Sequence, residues 1–241
     1  MQSRCHAEID VSLVEKFLAG PPTTRVKLRI YLCTRPIEWN LCRVKSAHPK
    51  RNRTNNRNER PTFRYLLDLV LIAWIIEAAD QFLLGGSLDR FGIHPRKLHG
   101  LLGIPLMPWL HGGFTHLISN TIPFLTLGYI MLKSEGRRFF YSSSIIILLG
   151  GLGTWLIAGK GEVHIGASGL IYGYFGYVMT RALIEKRPIW LLTGVLVALF
   201  YGGMIFGVLP QNQLPVSWEG HLTGMLAGIW LGRKHKGLRA H

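Results

Sequence analysis

Long apolar segments separated by short polar turns dominate the chain after residue 64. Most of them approach the roughly 20 residues that an α-helix needs to cross about 30 Å of hydrocarbon. We predict six membrane-spanning helices, at residues 65–84, 114–132, 139–158, 168–183, 189–209 and 218–231. The pattern therefore predicts an all-α polytopic membrane protein.

The segment at residues 85–110 is long for a connection between two spans, and about half of it is apolar. Pro95, Pro105, Pro108 and several glycines interrupt any continuous helix there. Aromatic side chains favour the depth of the lipid headgroups. We therefore expect a structured first external loop that is partly embedded in the membrane, with Trp109 at headgroup depth.

The distribution of charge orients the predicted spans. The net charge of +15 is compatible with nucleic-acid binding, but the basic residues concentrate in alternate connecting segments. Of the 28 Lys and Arg, only Arg90, Arg96, Lys97 and Lys160 lie on one side of the predicted bundle. By the positive-inside rule both termini are cytoplasmic. We expect a multi-pass protein of a bacterial inner (plasma) membrane, with the lipid bilayer and not nucleic acid as its partner.

The charge and hydropathy patterns divide the chain into three parts. Residues 1–64 form a basic segment, and the polar run at 48–61 has no apolar periodicity. Such a segment is predicted to be disordered and cytoplasmic. It lacks the apolar core of a secretory signal peptide. Residues 65–232 form the six-span domain, and residues 233–241 form a basic cytoplasmic tail.

Four polar side chains from three predicted spans share one depth near the external face. Ser168 begins span four within GASGLIYG, and His221 lies within GHLTG at the outer end of span six. His116 and Asn120, four residues apart in HGGFTHLISN, share a face of span two. A serine hydroxyl becomes a useful nucleophile when a neighbouring base takes its proton. Ser168 and His221 are therefore a candidate nucleophile and base.

Glycines recur at a spacing that allows two of the spans to pack closely. Small residues four apart on a membrane helix let a neighbouring backbone approach. Span six carries them at every fourth position, at Gly220, Gly224, Gly228 and Gly232. Span four carries a similar set, Gly169, Gly173 and Gly176. This contact would bring Ser168 and His221 together.

The motifs HGGFTHLISN, GASG with Tyr172 following, and GHLTG occur in this order on six predicted spans. Together they resemble the rhomboid family of intramembrane serine proteases over about residues 65–232. The resemblance implies a six-transmembrane-helix rhomboid-like bundle and a catalytic dyad without a carboxylate. In that dyad Ser168 is the nucleophile, and His221 is first the general base and then the general acid.

The resemblance also implies the roles of the surrounding residues. Asn120 and His116 would stabilise the oxyanion together with the backbone N–H of Ser168. Tyr172 would pack against His221, and His111 would be structural. Supporting positions are Gly166, Gly169 and Gly224. The first external loop departs from the family pattern, because it has no adjacent Trp-Arg pair.

The predicted function is an intramembrane serine endopeptidase that cleaves single-span membrane proteins near the external face, without a cofactor or a metal. Substrate would enter laterally by movement of span five, whose outer end carries Gly202, Gly203 and Gly207. One alternative is a non-catalytic rhomboid-like protein that binds membrane proteins, although such a relative would normally lack Ser168 or His221.

Two further alternatives rest on other residues. A small transporter is suggested by the intramembrane acids Glu77 and Asp80. The clustering of the polar groups at one depth argues against it, as does the absence of paired broken helices. A zinc site could draw on external histidines, but no HExxH-type base accompanies them and Asn120 is a poor zinc ligand. The histidines concerned are His111, His116, His164 and His221.

Overall fold

The computed structural model describes residues 62–210 and 217–234. Its six long helices coincide with the six predicted spans. They are α1 Phe63–Ala79, α2 Phe114–Glu135, α3 Phe139–Ile157, α4 Ser168–Glu185, α5 Pro188–Tyr201 and α6 Trp218–Lys234. A π-helical turn at Asp80–Leu84 extends α1, and a 3₁₀ helix at Gly202–Val208 extends α5. Within these residues the extended structure is limited to one antiparallel bridge, between Ile93 and His164. The prediction of an all-helical fold is confirmed for this part of the chain.

Nearly all of the predicted N-terminal segment, and most of the predicted tail, lie outside the described residues. The predictions for those two parts stay predictions.

Two stretches are long and apolar enough to cross a membrane by composition alone, Phe114–Ile157 and Pro188–Val208. The outward faces of the bundle are also strongly apolar. On α5 only Gly194 and Val197 are buried, whereas Leu199 and Phe200 are each 74% exposed. Large apolar side chains at that exposure are unfavourable in water and favourable in hydrocarbon. The surface of the helices is therefore suited to a lipid environment.

Helix α4 lies at the centre of the bundle. Most of its side chains are buried, and Tyr174, Tyr177 and Val178 are at most 1% exposed. The phenol of Tyr174 shares a 2.8 Å hydrogen bond with Ser143 of α3. The phenol of Tyr177 donates to the buried carboxylate of Glu135. These polar contacts satisfy groups that would be costly to bury alone.

Glycine backbones form the contact between α4 and α6, as their spacing predicts. A Cβ atom added at Gly224 would lie 2.0 Å from the carbonyl oxygen of Gly169, and one at Gly228 would lie 1.8 Å from that of Gly173. Side chains at these positions are therefore incompatible with the observed packing. Helix α3 approaches the same region, because a Cβ at Gly150 would lie 3.0 Å from the Cα of Gly224.

The segment predicted to form the first external loop is ordered, and it consists of short helical turns. Three 3₁₀ segments and one α-helical turn follow one another: Ser87–Phe91, Leu98–Leu102, Gly103–Leu106 (the α-helical turn) and Met107–Trp109. The loop is tied to the segment before α4 by the Ile93–His164 bridge. Leu98 and Leu102 are 82% and 71% exposed. An apolar tip of this kind suits the membrane interface.

The helix contact leads to a stability prediction for Gly228→Ala. The new methyl group has no room against the carbonyl of Gly173, so the helices must separate. Overpacking of this kind typically costs about 1–3 kcal/mol. We expect a lower melting temperature in detergent, measured by the loss of helical circular dichroism.

Gly202→Ala is the matched control, because nothing lies within 4 Å of a Cβ at that position. Its melting temperature should equal that of the wild type. Equal melting temperatures for both variants would mean that the α4–α6 contact is looser than described.

Candidate active site

Ser168 is the first residue of α4, and the chain reaches it through a sharp turn. Gly166 has a φ of +106°, a backbone conformation that residues other than glycine rarely adopt. Its N–H donates a 2.8 Å hydrogen bond to the carbonyl of Met107 in the first external loop. The loop therefore fixes the backbone two residues before the serine.

The predicted pair of Ser168 and His221 is in hydrogen-bond contact. The Ser168 Oγ and the His221 Nε2 are 2.9 Å apart. His221 lies in the first turn of α6 and is 6% exposed, and Ser168 is half-buried. A serine within hydrogen-bond reach of an imidazole is the arrangement needed for nucleophilic catalysis. The glycine contact between α4 and α6 holds the two helix starts at this separation.

The second ring nitrogen of His221 bonds to backbone rather than to a carboxylate. Its Nδ1–H donates to the carbonyl oxygen of Gly207, at 2.9 Å. This bond selects the tautomer in which Nε2 presents its lone pair to the serine. Tyr172 stacks on the imidazole, with ring centroids 4.0 Å apart and planes inclined by 9°. Two neutral groups thus orient the histidine.

His116 and Asn120 both face the turn before Ser168. A Cβ at Gly166 would lie 2.8 Å from the His116 Nε2 and 3.5 Å from the Asn120 Nδ2. Asn120 is 7% exposed, and its buried Nδ2 has no hydrogen-bond partner among the described residues. A buried amide donor without a partner is costly to keep. It is therefore available to an acceptor placed beside Ser168.

His111 bonds to the backbone of the same turn, at the residue before Ser168. Its Nε2 accepts a 3.5 Å hydrogen bond from the Ala167 N–H, and its ring meets that of His116 edge-on at 5.2 Å. Burial, with a smaller contribution from His116, lowers the pKa of His111 to about 4. The imidazole is therefore neutral at physiological pH and can accept that bond. This geometry agrees with the predicted structural role.

The two buried acids of the first predicted span orient loop backbone. Glu77 accepts a 3.0 Å hydrogen bond from the Gln81 side chain. Asp80 accepts a 2.9 Å hydrogen bond from the Leu88 N–H. Both carboxylates are at most 2% exposed. Their bonds support a structural role in preference to an ion path.

Other histidines lie apart from the serine. His94 and His99 approach each other in the first external loop, with ring centroids 5.0 Å apart. His164 Nδ1 lies 2.6 Å from the Ser217 Oγ. Neither contact involves Ser168 or His221. Within the described residues, His111, His116, His164 and His221 do not come together as a set of metal ligands. The side chains that do lie close enough to share a metal ion are Glu162, His164 and Glu219.

The carbonyl of Gly207 is the site group that the sequence analysis did not identify. The sequence marks Gly207 only as a glycine at the outer end of span five. Its lack of a side chain is required here, because a Cβ would lie 1.9 Å from the Tyr172 hydroxyl and 3.4 Å from the His221 Nδ1. The glycine at position 207 is the sequence feature that reflects the close approach of this backbone to Tyr172 and His221.

The structure and its surface define an integral membrane protein, a helical bundle with a serine–histidine pair at the starts of two of its helices. The Rhomboid domain family model matches residues 99–235. The chain belongs to the rhomboid family, which confirms the resemblance carried by the three motifs. Membership in this family implies a polytopic membrane bundle.

Curated relatives agree with this assignment. An uncharacterized protein of Mycobacterium tuberculosis (Rv1337) is 41% identical, over 68% of this chain and 71% of its own length. RHOMBOID-like protein 5 of Arabidopsis thaliana is 26% identical, over 72% of this chain and 71% of its own. The putative rhomboid protease YdcA of Bacillus subtilis is 29% identical, over 51% of this chain and 61% of its own.

Asp89, in the first external loop, should make the stability of the protein depend on pH. Burial, followed by the nearby acids Asp80 and Glu77, raises the pKa of Asp89 to about 6. The folded state then binds a proton more tightly than the unfolded state, in which the carboxyl has its ordinary pKa of 3.8. Stability is therefore highest below the unfolded pKa, and this contribution is lost as the pH rises from about 4 to 6.

Asp89→Asn, which mimics the protonated acid, should remove this loss. The melting temperatures of wild type and variant, measured in detergent at low salt, should agree near pH 4 and diverge towards pH 7, with the variant more stable. Parallel curves across this range would contradict the raised pKa.

Proposed function

We propose that this protein is an intramembrane serine endopeptidase that acts through a dyad of Ser168 and His221. The observation that carries the proposal is the 2.9 Å separation of the Ser168 Oγ and the His221 Nε2 inside the bundle. Rhomboid proteins are generally intramembrane serine proteases. The fixed tautomer of His221 adds support, because it makes Nε2 the proton acceptor.

In the first step the Ser168 Oγ attacks the scissile carbonyl carbon while the His221 Nε2 takes the hydroxyl proton. The resulting imidazolium keeps its Nδ1–H bond to the Gly207 carbonyl and lies against the face of Tyr172. A cation on an aromatic face is stabilised by about 0.5–2 kcal/mol. His221 then donates the proton to the leaving amine. Water hydrolyses the acyl-enzyme by the same proton transfers in reverse order.

The negative charge on the former carbonyl oxygen would be held by donors beside Gly166. These are the Asn120 Nδ2, the His116 Nε2 and the backbone N–H of Ser168. The unpartnered Nδ2 of Asn120 supports this role, since a donor fixed before reaction needs no reorganisation during it. Gly166 keeps the space between these donors and the serine free of a side chain.

We further propose that all six long helices span the membrane, with both termini in the cytoplasm of a bacterial inner membrane. Helices α2, α4 and α6 then begin at the external face, and their first turns carry His116, Ser168 and His221. Asn120 follows one turn below. Catalysis would occur a short distance below the external surface, where water can reach the serine from outside.

The substrates would be single-span membrane proteins cut near the external end of their helix. A helix hides its carbonyl groups in hydrogen bonds, so a cleavable segment must unwind. Gly, Pro or polar residues near the cut favour this, and a small side chain fits the confined space beside Ser168. Entry is assigned to movement of α5, because only Gly194 and Val197 of that helix are buried.

The first test is cleavage of a model single-span substrate by the purified protein in detergent. Ser168→Ala and His221→Ala should each reduce cleavage by about a thousandfold or more, because loss of either member disables the unit. His99→Ala, an exposed residue away from the dyad and the proposed oxyanion donors, is a matched control that should cut like wild type. Melting curves check that every variant is folded.

A fluorophosphonate probe separates a poor choice of substrate from an inactive site. An activated serine forms a covalent bond with it whatever the peptide preference. We expect labelling of the wild type and no labelling of Ser168→Ala or His221→Ala. A folded wild type that neither cuts nor reacts would overturn the proposal and favour a binding-only protein.

The oxyanion assignment is tested by Asn120→Ala and His116→Ala. Each should lower kcat by about 10²–10³, the usual effect of losing one oxyanion donor, with a smaller change in KM. The split between kcat and KM distinguishes transition-state stabilisation from loss of substrate binding. A variant with unchanged kcat and raised KM would assign that residue to substrate binding.

A further inference from the structure

A second group of chemically active side chains lies beside the dyad without taking part in it. Glu162 and His164 precede α4, and Glu219 lies in the first turn of α6. Their potential ligand atoms all fall within 4.8 Å of one another. The group combines one imidazole with two carboxylates.

His164 presents an unused nitrogen to these carboxylates. The residue is 5% exposed, and its buried Nε2 has no hydrogen-bond partner among the described residues. The nearest carboxylate oxygen, Oε2 of Glu162, is 3.5 Å away. Leaving a buried ring nitrogen without a partner is unfavourable, so its position calls for an explanation.

Neighbouring groups hold the ring in this orientation. The His164 Nδ1 is 2.6 Å from the Ser217 Oγ, which also accepts a 3.2 Å hydrogen bond from the Gly220 N–H. Backbone hydrogen bonds to Ile93 fix the main chain on both sides of the residue. In the tautomer in which Nδ1–H donates to the serine, Nε2 presents a lone pair. Metal-bound histidines are commonly fixed by such an outer hydrogen bond.

Among the described residues, no Lys or Arg compensates the charge of the two carboxylates. Glu219 is 7% exposed, and within the described part of the chain neither glutamate forms an ion pair with Lys or Arg. A buried carboxylate beside a second one is unfavourable unless a positive charge joins them. A divalent cation would neutralise both charges and accept the lone pair of His164.

We propose that Glu162, His164 and Glu219 form a binding site for Zn²⁺. The imidazole nitrogen favours zinc over Ca²⁺ or Mg²⁺, which prefer ligand sets made of oxygen. Zinc bonds of about 2.1 Å place tetrahedral ligand atoms about 3.4 Å apart. The 3.5 Å between the His164 Nε2 and the Glu162 Oε2 already matches this spacing, and a small rotation of the Glu219 carboxylate, now within 4.8 Å, would complete it. Water would complete the coordination.

The proposed zinc site lies close along the chain to both members of the serine–histidine pair. His164 lies four residues before Ser168, and Glu219 lies two residues before His221. A cation held by both would tie together the starts of the two helices that carry the serine and the histidine. The binding site itself does not depend on the proposed protease activity, because none of its ligands touches Ser168 or His221.

The test uses the full chain without a histidine tag, carrying Ser168→Ala so that cleavage plays no part. The protein is stripped with a chelator and titrated with Zn²⁺ against a chromophoric competitor. We expect one zinc per chain and a higher melting temperature on binding. His164→Ala, Glu219→Gln and Glu162→Gln should each weaken binding by about tenfold or more, since even the loss of outer-shell partners costs 10–100-fold.

His99→Ala is the matched control, since it removes an exposed histidine of the first external loop and should leave zinc affinity unchanged. Glu162→Gln guards against misfolding as the cause of weak binding, because its side chain is largely exposed. Ca²⁺ at the same concentration should not raise the melting temperature. Absence of stoichiometric zinc, or zinc binding that persists in all three ligand variants, would overturn the proposal whatever the outcome of the cleavage assay.

Discussion

The close approach of α4 and α6 is the constraint on which the rest of the structure depends. A Cβ at Gly169 would lie 3.2 Å from the carbonyl oxygen of Gly220, and these two glycines are the chain neighbours of Ser168 and His221. In lipid the hydrophobic effect does not drive helices together, so close backbone packing must supply much of the association. The packing that stabilises the bundle therefore also sets the distance between Ser168 and His221.

The environment of His221 shows how a histidine can be oriented without a carboxylate. A buried carboxylate would add a charge that is costly inside a membrane protein. The Gly207 carbonyl fixes the tautomer, and the stacked Tyr172 fixes the ring plane, with neutral groups alone. The position of Tyr172 requires Gly207 to have no side chain, because a Cβ there would collide with the Tyr172 hydroxyl. The arrangement avoids the desolvation cost of an additional ion.

The sequence predicted the parts of this structure that depend on side-chain type and spacing. Apolar length predicted the six helices, and the four-residue glycine spacing predicted the α4–α6 contact. The two motifs that carry Ser168 and His221 predicted their pairing. The role of the Gly207 carbonyl was not predictable in this way, because every residue has a carbonyl and only the fold decides where it points.

The cluster of Glu162, His164 and Glu219 escaped sequence analysis for a related reason. Two of its members lie in a loop, far along the chain from the third, and no motif joins them. The loop is fixed by the bridge between Ile93 and His164, which depends on the turns of the first external loop. Contacts made by irregular segments follow from tertiary packing more than from local pattern.

The position of Gly207 links the proposed substrate entry to the state of the base. The residue belongs to the 3₁₀ segment that continues α5, the helix with the fewest buried side chains among the six. If α5 moves aside to admit a substrate, the segment must either carry its bond to His221 along or break it. Breaking it would release the ring to the other tautomer, in which Nε2 carries the proton and cannot act as a base. A path that keeps Gly207 in place while the remainder of α5 moves is therefore the one that preserves a competent dyad.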